Sequence, residues 1–418
     1  MHFSLAGINH RTAPMEVREK AAIDPKSLPG LLHLLRQHLQ NGIIFSTCNR
    51  TEVYATGSRA SELEKACVDF LTNSMCLPPD TAPYLYVMSD QTACEHLFSV
   101  ACGLDSMVIG EYEVLGQAGQ ALAAAEKAGT VNLPLRHIFE SAIRTGRRAR
   151  GETGISRNSL SLSSIAVNKA LDVVNDIAKS RIIIIGAGEA GRLALRVACG
   201  RGAIDTAVVS RTLQRAVYIT GQYGGRPVSP DMLAVELRHA DIVIACAASP
   251  HPVLHHRQVS EAMSGRPQLP MIIIDIALPR NVEPAVSGIN NVHLYNMDDL
   301  NGIADNHRQE REAEVAAVKR IIEEELDLLI RWWQGYRSRP VIKSLMARAE
   351  KIREAQYHRA LKKLPSLSED EKQSVDLLTK SIVDKILRDP ILYLKSGSGT
   401  EQAETVSRLF GLDDGKDL

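Results

Sequence analysis

Most of the chain alternates apolar and polar positions, but Ile182, Ile183, Ile184 and Ile185 stand together after Arg181. Such a run suits a strand buried on both faces, as a parallel sheet requires. Helical spacing follows at 192–200. Further strand-like runs stand at 206–209, 242–247 and 271–276, with helical segments between them. This alternation predicts a doubly wound parallel-sheet domain. The N-terminal part reads differently. Residues 3–8 resemble a strand, 26–40 carries leucines at helical spacing, 42–46 and 52–56 are β-prone, 61–73 is helical, and 84–88 is strand-like. The order β-α-β-β-α-β predicts a ferredoxin-like α+β unit with a polar β-β turn at its centre. From 91 to 150 the spacing is helical, in segments at 93–102, 118–128 and 134–149. Beyond 300, residues 303–334 lack Pro and Gly, and Val315, Val318, Ile322, Leu326, Leu329 and Trp333 form a stripe with steps of 3 and 4. A helix of that length spans roughly 45 Å. Two shorter helical stretches, 341–363 and 369–387, precede a Gly/Ser-rich break at 396–400. The expected organisation is three domains: 1–152, 153–300 and an all-α part, 301–418, that dimerises along the long helix. A merely solvated charged helix is the alternative.

The central turn of the first unit holds Cys48 between Thr47 and Asn49, with Arg50 two residues on. A structural cysteine normally lies inside an apolar run. One in a polar loop is expected to be reachable, and a neighbouring guanidinium favours the thiolate, the form that attacks carbonyl carbon. An ordinary surface cysteine is the competing reading.

The isoleucine strand runs into Gly186, Ala187, Gly188, Glu189, Ala190 and Gly191, and then into a helix. A lone G-x-G-x-x-G is weak; between a strand and a helix it marks a dinucleotide-binding turn that brings the pyrophosphate to the helix N-terminus. The second strand of the domain ends in Ser210, Arg211 and Thr212 rather than in an acidic residue. That chemistry suits a 2′-phosphate, so NADPH is expected over NADH, with a chance basic turn residue as the alternative.

Bulk composition narrows the class. Among 418 residues, Lys+Arg and Asp+Glu each total 49, so no global charge advertises nucleic acid, and RNA contact must rest on a local patch. Arg144, Arg147, Arg148 and Arg150 form the candidate patch for phosphate contact, against the reading that basic residues simply suit a helix end. Seven scattered cysteines without a C-x-x-C pair argue for a reducing compartment and against a zinc site. His251, His255 and His256 read as a polar loop rather than a metal cluster. No signal peptide is visible and no apolar run approaches the ~20 residues of a membrane span, so a cytoplasmic protein is expected.

A reactive cysteine beside a nicotinamide cofactor points to acyl chemistry. A carboxylate is a poor hydride acceptor and a thioester a good one. No G-x-x-x-x-G-K-[ST] loop is present, so the acyl group must arrive already activated. At this point the chain resembles the glutamyl-tRNA reductase family. The resemblance is carried by Gly7 through Pro14 (GINHRTAP), Ser46 through Glu52 (STCNRTE), Gly103 through Ser106, Gly110-Glu111, Gly116-Gln117 and Gly186 through Glu189. It implies that Cys48 attacks the ester of glutamyl-tRNA and that NADPH reduces the thioester to glutamate-1-semialdehyde, opening five-carbon tetrapyrrole synthesis. It implies that Thr47, Asn49, Arg50, Ser106, Glu111, Tyr112, Glu113 and Gln117 hold the glutamyl group, with Arg50 on its side-chain carboxylate. His96 matches a histidine that moves a proton to the leaving ribose oxygen. The family's shape is a three-domain V-shaped dimer, and a glutamate-semialdehyde aminomutase is the partner that would take up the product.

Two departures qualify this. The family usually has Pro then Gln where this chain has Tyr112 and Glu113, and the segment Ile155 through Ser161 carries bulkier polar residues than usual. A diverged thioester reductase with another acyl donor therefore stays open, as does a non-catalytic nucleotide-sensing scaffold.

Overall fold

The computed structural model describes residues 2–75, 77–156, 162–171, 174, 176–300, 312–395 and 400–412. Its residues group into two compact units, 1–323 and 324–418.

The first unit contains two sheets. Strands β1 (His2–Asn9), β2 (Gly42–Ser46), β3 (Arg50–Gly57) and β4 (Tyr86–Ser89) form an antiparallel sheet in the order β2-β3-β1-β4, the ferredoxin-like arrangement. Register runs from His2 opposite Gly57 to Asn9 opposite Arg50. Nearly every residue of β1 and β3 is buried, because helices cover both faces. Phe3 stacks on Tyr54 at 5.9 Å, and Tyr54 meets Phe139 edge-on at 5.2 Å. Between β1 and β2 stand α1 (Met15–Ala21), which the sequence pattern did not reveal, and α2 (Leu28–Leu39). After β3 come α3 (Ala60–Asp69), α4 (Asp90–Ala101), α5 (Glu113–Ala128) and α6 (Leu133–Glu152). Strand β3 begins at Arg50 rather than at 52, since Asn9 and Ser46 lead the partners that pair from that point. The central turn therefore shrinks to Thr47, Cys48 and Asn49, closed by Thr47 N donating to Arg50 O at 2.8 Å.

The second sheet has six strands, β5 (Arg181–Ile185), β6 (Asp205–Val209), β7 (Arg226–Val228), β8 (Ile242–Ala245), β9 (Met271–Asp275) and β10 (Val292–Asn296). All pairs are parallel, in the order β10-β9-β8-β5-β6-β7. The order reverses between β5 and β8, and a crevice at that point is where doubly wound sheets bind ligands. Helices α7 (Leu162–Leu171), α8 (Glu189–Gly200), α9 (Leu213–Tyr223), α10 (Leu233–Leu237) and α11 (His256–Ser264) accompany it. Ile182 and Ile184 face one apolar cluster and Ile183 and Ile185 the other, which accounts for the unbroken run.

Helix α12 (Glu312–Lys363) is 52 residues long and continues through Pro340, where two separate helices were expected. Proline costs a helix interior one hydrogen bond, a loss that long flanking turns can absorb. Residues 303–311 of the expected helix, residues 157–161 of the expected interdomain segment and 396–399 of the expected break lie outside the described residues. In the second unit, α13 (Glu369–Lys395) and α14 (Thr400–Leu409) enclose a small core of Leu345, Leu387, Leu394 and Val406. Leu378, Ile382 and Ile386 lie on one face of α13 yet are 60, 47 and 63% exposed. Replacing Ile382 and Ile386 together with Glu is expected to convert a dimer to monomers in sedimentation; an unchanged dimer would place the interface elsewhere. No described helix is long and apolar enough to cross a membrane.

Candidate active site

Cys48 is half-buried. The residue packs against an apolar cluster that includes Met15, Met107 and Val108 as well as Ile276, Met297 and Leu300. Burial, reinforced by the carboxylates of Glu111 and then Glu113, pushes the thiol up to about 12, with Arg18 pulling the other way. This corrects the sequence expectation on two points. The resting thiol is not poised as a thiolate, and the cation that acts on it is Arg18, not Arg50. Arg18 is 2% exposed, and its Nη1 donates to Cys48 O at 3.3 Å and to Asn49 Oδ1 at 3.4 Å.

Arg50 points elsewhere because side chains alternate along a strand. As the first residue of β3 it shares a face with Glu52 and Tyr54. Its Nη1 donates to Glu52 Oε1 at 2.8 Å, and both terminal nitrogens reach Asp105 Oδ2 at 3.1 Å. A second bond from Nη2 goes to the Asp105 carbonyl. His96 Nε2 lies 2.8 Å from Glu52 Oε1, and its Nδ1 is 3.9 Å from Asp105 Oδ2. Tyr54 and Tyr86 both donate to Glu52. Burial opposes ionisation of Glu52, but Arg50 and His96 outweigh it and hold the carboxyl well below its usual range. A carboxyl held down this way contributes stability above its ordinary value of 4.5, and that contribution is lost as pH falls further. Removing Arg50 leaves a buried carboxylate without its cation. Arg50→Ala is expected to cost on the order of 3–5 kcal/mol, read by denaturant unfolding at pH 7. A loss near zero would mean Arg50 is free for ligand.

Among the described residues, His10 Nδ1 is buried beside this cluster without a hydrogen-bond partner, and the buried Ser106 hydroxyl stands close enough to Glu111 to lower its carboxyl somewhat. Burial and then Arg50 keep His10 neutral, down to about 4. Glu111 is raised to about 7, chiefly by burial. Its carbonyl accepts from Arg150 Nη2 at 2.7 Å. Arg150 also donates to Ala101 O and Gly146 O, both at 2.8 Å, so it is a local strut and drops out of the expected phosphate patch. Arg148 pairs with Glu152 at 2.8 Å, while Arg144 and Arg147 are exposed. The preceding Gly110 has φ +80°, and a Cβ there would lie 2.0 Å from Ile155 O. Glu113 is raised too, by burial and then by Glu189. Tyr112 is 62% exposed and Arg150 sits over its ring at 5.9 Å.

Glu111, Tyr112, Glu113 and Gln117 line a cleft of about 640 Å³ together with Glu189, Arg192 and Arg196 of α8. Four of the expected acyl-pocket residues thus share a cleft with Glu189 and the first turns of α8, whereas Thr47, Cys48, Asn49, Arg50, His96 and Ser106 do not line it. A second cleft of about 510 Å³ runs from Ala187, Gly188 and Glu189 to Thr212 and Arg215. Gly186 has φ +123°, a Cβ on Gly191 would stand 2.0 Å from Gly186 O, and a Cβ on Gly188 would meet nothing. This cradle fits a dinucleotide pyrophosphate at the N-terminus of α8. Ser210 Oγ accepts from Thr212 N at 3.2 Å, and Arg211 turns its Nη2 to Ala248 O at 2.9 Å. Arg215, which the motif did not single out, is the basic side chain lining the cleft beside Thr212. No group of acidic, His and Cys side chains suited to a metal occurs among the described residues, and His255 pairs with Glu283.

Three family profiles match the chain in order. They are glutamyl-tRNA(Glu) reductase, N-terminal domain, at 6–153; shikimate/quinate 5-dehydrogenase at 168–303; and glutamyl-tRNA(Glu) reductase, dimerisation domain, at 317–412. The chain is 37% identical over 424 residues to a glutamyl-tRNA reductase of Natranaerobius thermophilus, covering 99% of this chain and 92% of that one. It is 37% identical over 415 residues to that of Moorella thermoacetica, with coverage of 97% and 94%. Among solved structures, the glutamyl-tRNA reductase of Methanopyrus kandleri matches with a TM-score of 0.51 at 31% identity, covering 98% of this chain and 99% of that chain. The dehydrogenase profile and the parallel sheet together make the middle domain a nicotinamide-nucleotide-binding one.

Proposed function

This chain belongs to the glutamyl-tRNA reductase family, and on that basis we propose that it converts glutamyl-tRNA to glutamate-1-semialdehyde through a thioester on Cys48, the first step of tetrapyrrole synthesis. The observation that supports this best is the single cleft shared by Glu111, Glu113 and Gln117 with Glu189 and Arg192. The Cys48 sulfur attacks the ester carbonyl; the C–S bond forms as the C–O bond to the ribose breaks. We assign His96 the proton that the departing ribose oxygen takes up, since an imidazole can both accept and donate one. Gly186 through Gly191 would hold NADPH, which would supply the hydride that takes the thioester to the aldehyde, and Cys48 would leave the carbon as a thiolate and take up a proton. Thr47, Asn49, Ser106 and Gln117 orient the acyl group by hydrogen bonds.

The raised thiol has a physical remedy in this scheme. A glutamyl ester carries an α-ammonium. Set against Glu111 and Glu113, that cation offsets the two carboxylates that add to burial in holding the thiol up, so correct substrate lowers part of the cost of ionising Cys48. Arg50 serves the same pocket by fixing Asp105, next to Ser106. The test is a stoichiometric incubation with glutamyl-tRNA and NADPH, with the semialdehyde trapped as an oxime. Semialdehyde from glutamyl-tRNA but not from an acyl-thioester supports the reading; the reverse preference would overturn it.

We further propose NADPH as the cofactor, with the 2′-phosphate between Thr212 and Arg215 and Arg211 at the rim. Arg215→Glu is expected to raise KM for NADPH by about tenfold or more while leaving that for NADH nearly unchanged. Equal effects on both cofactors would place the 2′-phosphate elsewhere. Arg144 and Arg147 are the proposed tRNA-phosphate contacts, the protein acts as a cytoplasmic homodimer, and a glutamate-semialdehyde aminomutase is the proposed recipient of the aldehyde.

A further inference from the structure

We propose that helix α1 is a coupling bar between the Cys48 turn and the nucleotide-binding domain, with Arg18 and Glu19 as its positioning residues; this rests on the thioester reading above. The helix is bonded in both directions. Toward the turn, Arg18 holds Cys48 O and Asn49 Oδ1, its Nε donates to Ala13 O at 3.2 Å, and Thr51 Oγ1 donates to Ala21 O at 3.0 Å. The Cys48 turn and the start of β3 are thereby tied to α1. Toward the other domain, Arg18 Nη2 donates to Asp298, just past β10. Glu19 takes four bonds from Arg280, in the loop after β9: from its backbone N at 2.7 Å, from Nε at 3.0 and 3.1 Å and from Nη2 at 2.8 Å.

These partners have the quality that a coupling needs. Arg18 is buried, and the Glu19 side chain is 18% exposed. A bidentate guanidinium–carboxylate contact fixes angle as well as distance. The neighbouring Glu16–Arg280 contact is longer, at 3.4 Å, with Glu16 62% exposed, and adds little. Arg280 and Asp298 follow the carboxyl ends of adjacent strands, the edge where a doubly wound sheet holds its ligand. Separating the nucleotide domain must either break these contacts or drag the Cys48 turn with it. The thioester forms on a side chain of the first domain, whereas hydride transfer also needs the nucleotide domain held against it. The coupling therefore bears on reduction more than on acylation.

The test compares Arg280→Gln with Arg280→Lys in the full-length protein, with thermal melts confirming that both fold. Iodoacetamide alkylation of Cys48 is followed on its own peptide by mass spectrometry, because Cys48 is half-buried and packs against the cluster the two domains share. Arg280→Gln is expected to alkylate several-fold faster than wild type, and Arg280→Lys within about twofold. In single turnover, Arg280→Gln should acylate Cys48 no more slowly than wild type and reduce the thioester about tenfold more slowly, the scale at which misplacement of reacting groups is felt. Unchanged alkylation and reduction would overturn the coupling, and so would acylation falling in step with reduction. If wild type itself forms no acyl–Cys48, the thioester reading fails, while the alkylation comparison still decides whether α1 holds the domains together.

Discussion

Cys48→Ser protein is expected to make semialdehyde at least about 10³-fold more slowly than wild type, while binding tRNA with nearly unchanged affinity. The substitution changes one atom and leaves the three-residue turn intact, because its closing bonds come from backbone groups and from Thr47, Asn49 and Arg18. Two chemical losses combine. A hydroxyl ionises far less readily than a thiol, in a site where burial and two carboxylates already oppose a negative charge. Any acyl group it captured would be an oxygen ester, a weaker hydride acceptor than a thioester. Product formation within tenfold of wild type would remove Cys48 from the chemistry.

Gly191→Ala is expected to abolish measurable NADPH binding, a loss of roughly a hundredfold or more, about 2.7 kcal/mol. The new methyl would stand 2.0 Å from Gly186 O, so the turn must open, and Cys246 Sγ at 3.3 Å limits movement on the other side. Gly188→Ala is the informative companion. Its methyl meets no protein atom, so folding should be unaffected while the space for a pyrophosphate is filled. Cofactor fluorescence titration and thermal melts separate the two: Gly191→Ala should lose both binding and stability, and Gly188→Ala binding alone. Normal binding by both variants would move the cofactor out of the glycine turn.

The parts of the fold written in local pattern were legible in the sequence. The isoleucine run announced a strand buried on both faces, and the glycine turn's position between strand and helix announced its use. The ferredoxin-like order was readable because each element carried its own periodicity. Helix α1 was not, since its seven residues mix Met15, Glu16, Arg18 and Glu19 in a polar stretch whose partners lie 30 to 280 positions away. The direction of Arg50 was misread for a related reason. Two residues from Cys48 looks close along the chain, but pairing with Asn9 makes Arg50 a strand residue and turns it toward Glu52 and Asp105. Charge on a buried thiol is likewise a property of tertiary neighbours: Glu111 and Glu113 reach Cys48 from more than sixty positions away. Arg215 escaped because a cofactor fingerprint inspects the end of β6, whereas the cleft is lined one helical turn later.

Everything turns on whether a covalent glutamyl group is ever carried by Cys48. The direct measurement is intact-peptide mass spectrometry after acid quench of the protein mixed with glutamyl-tRNA and no NADPH. A glutamyl adduct on the Cys48 peptide, labile to hydroxylamine and discharged within one turnover when NADPH is added, is the expected result. Semialdehyde appearing on NADPH addition with no adduct ever present on Cys48 would contradict it.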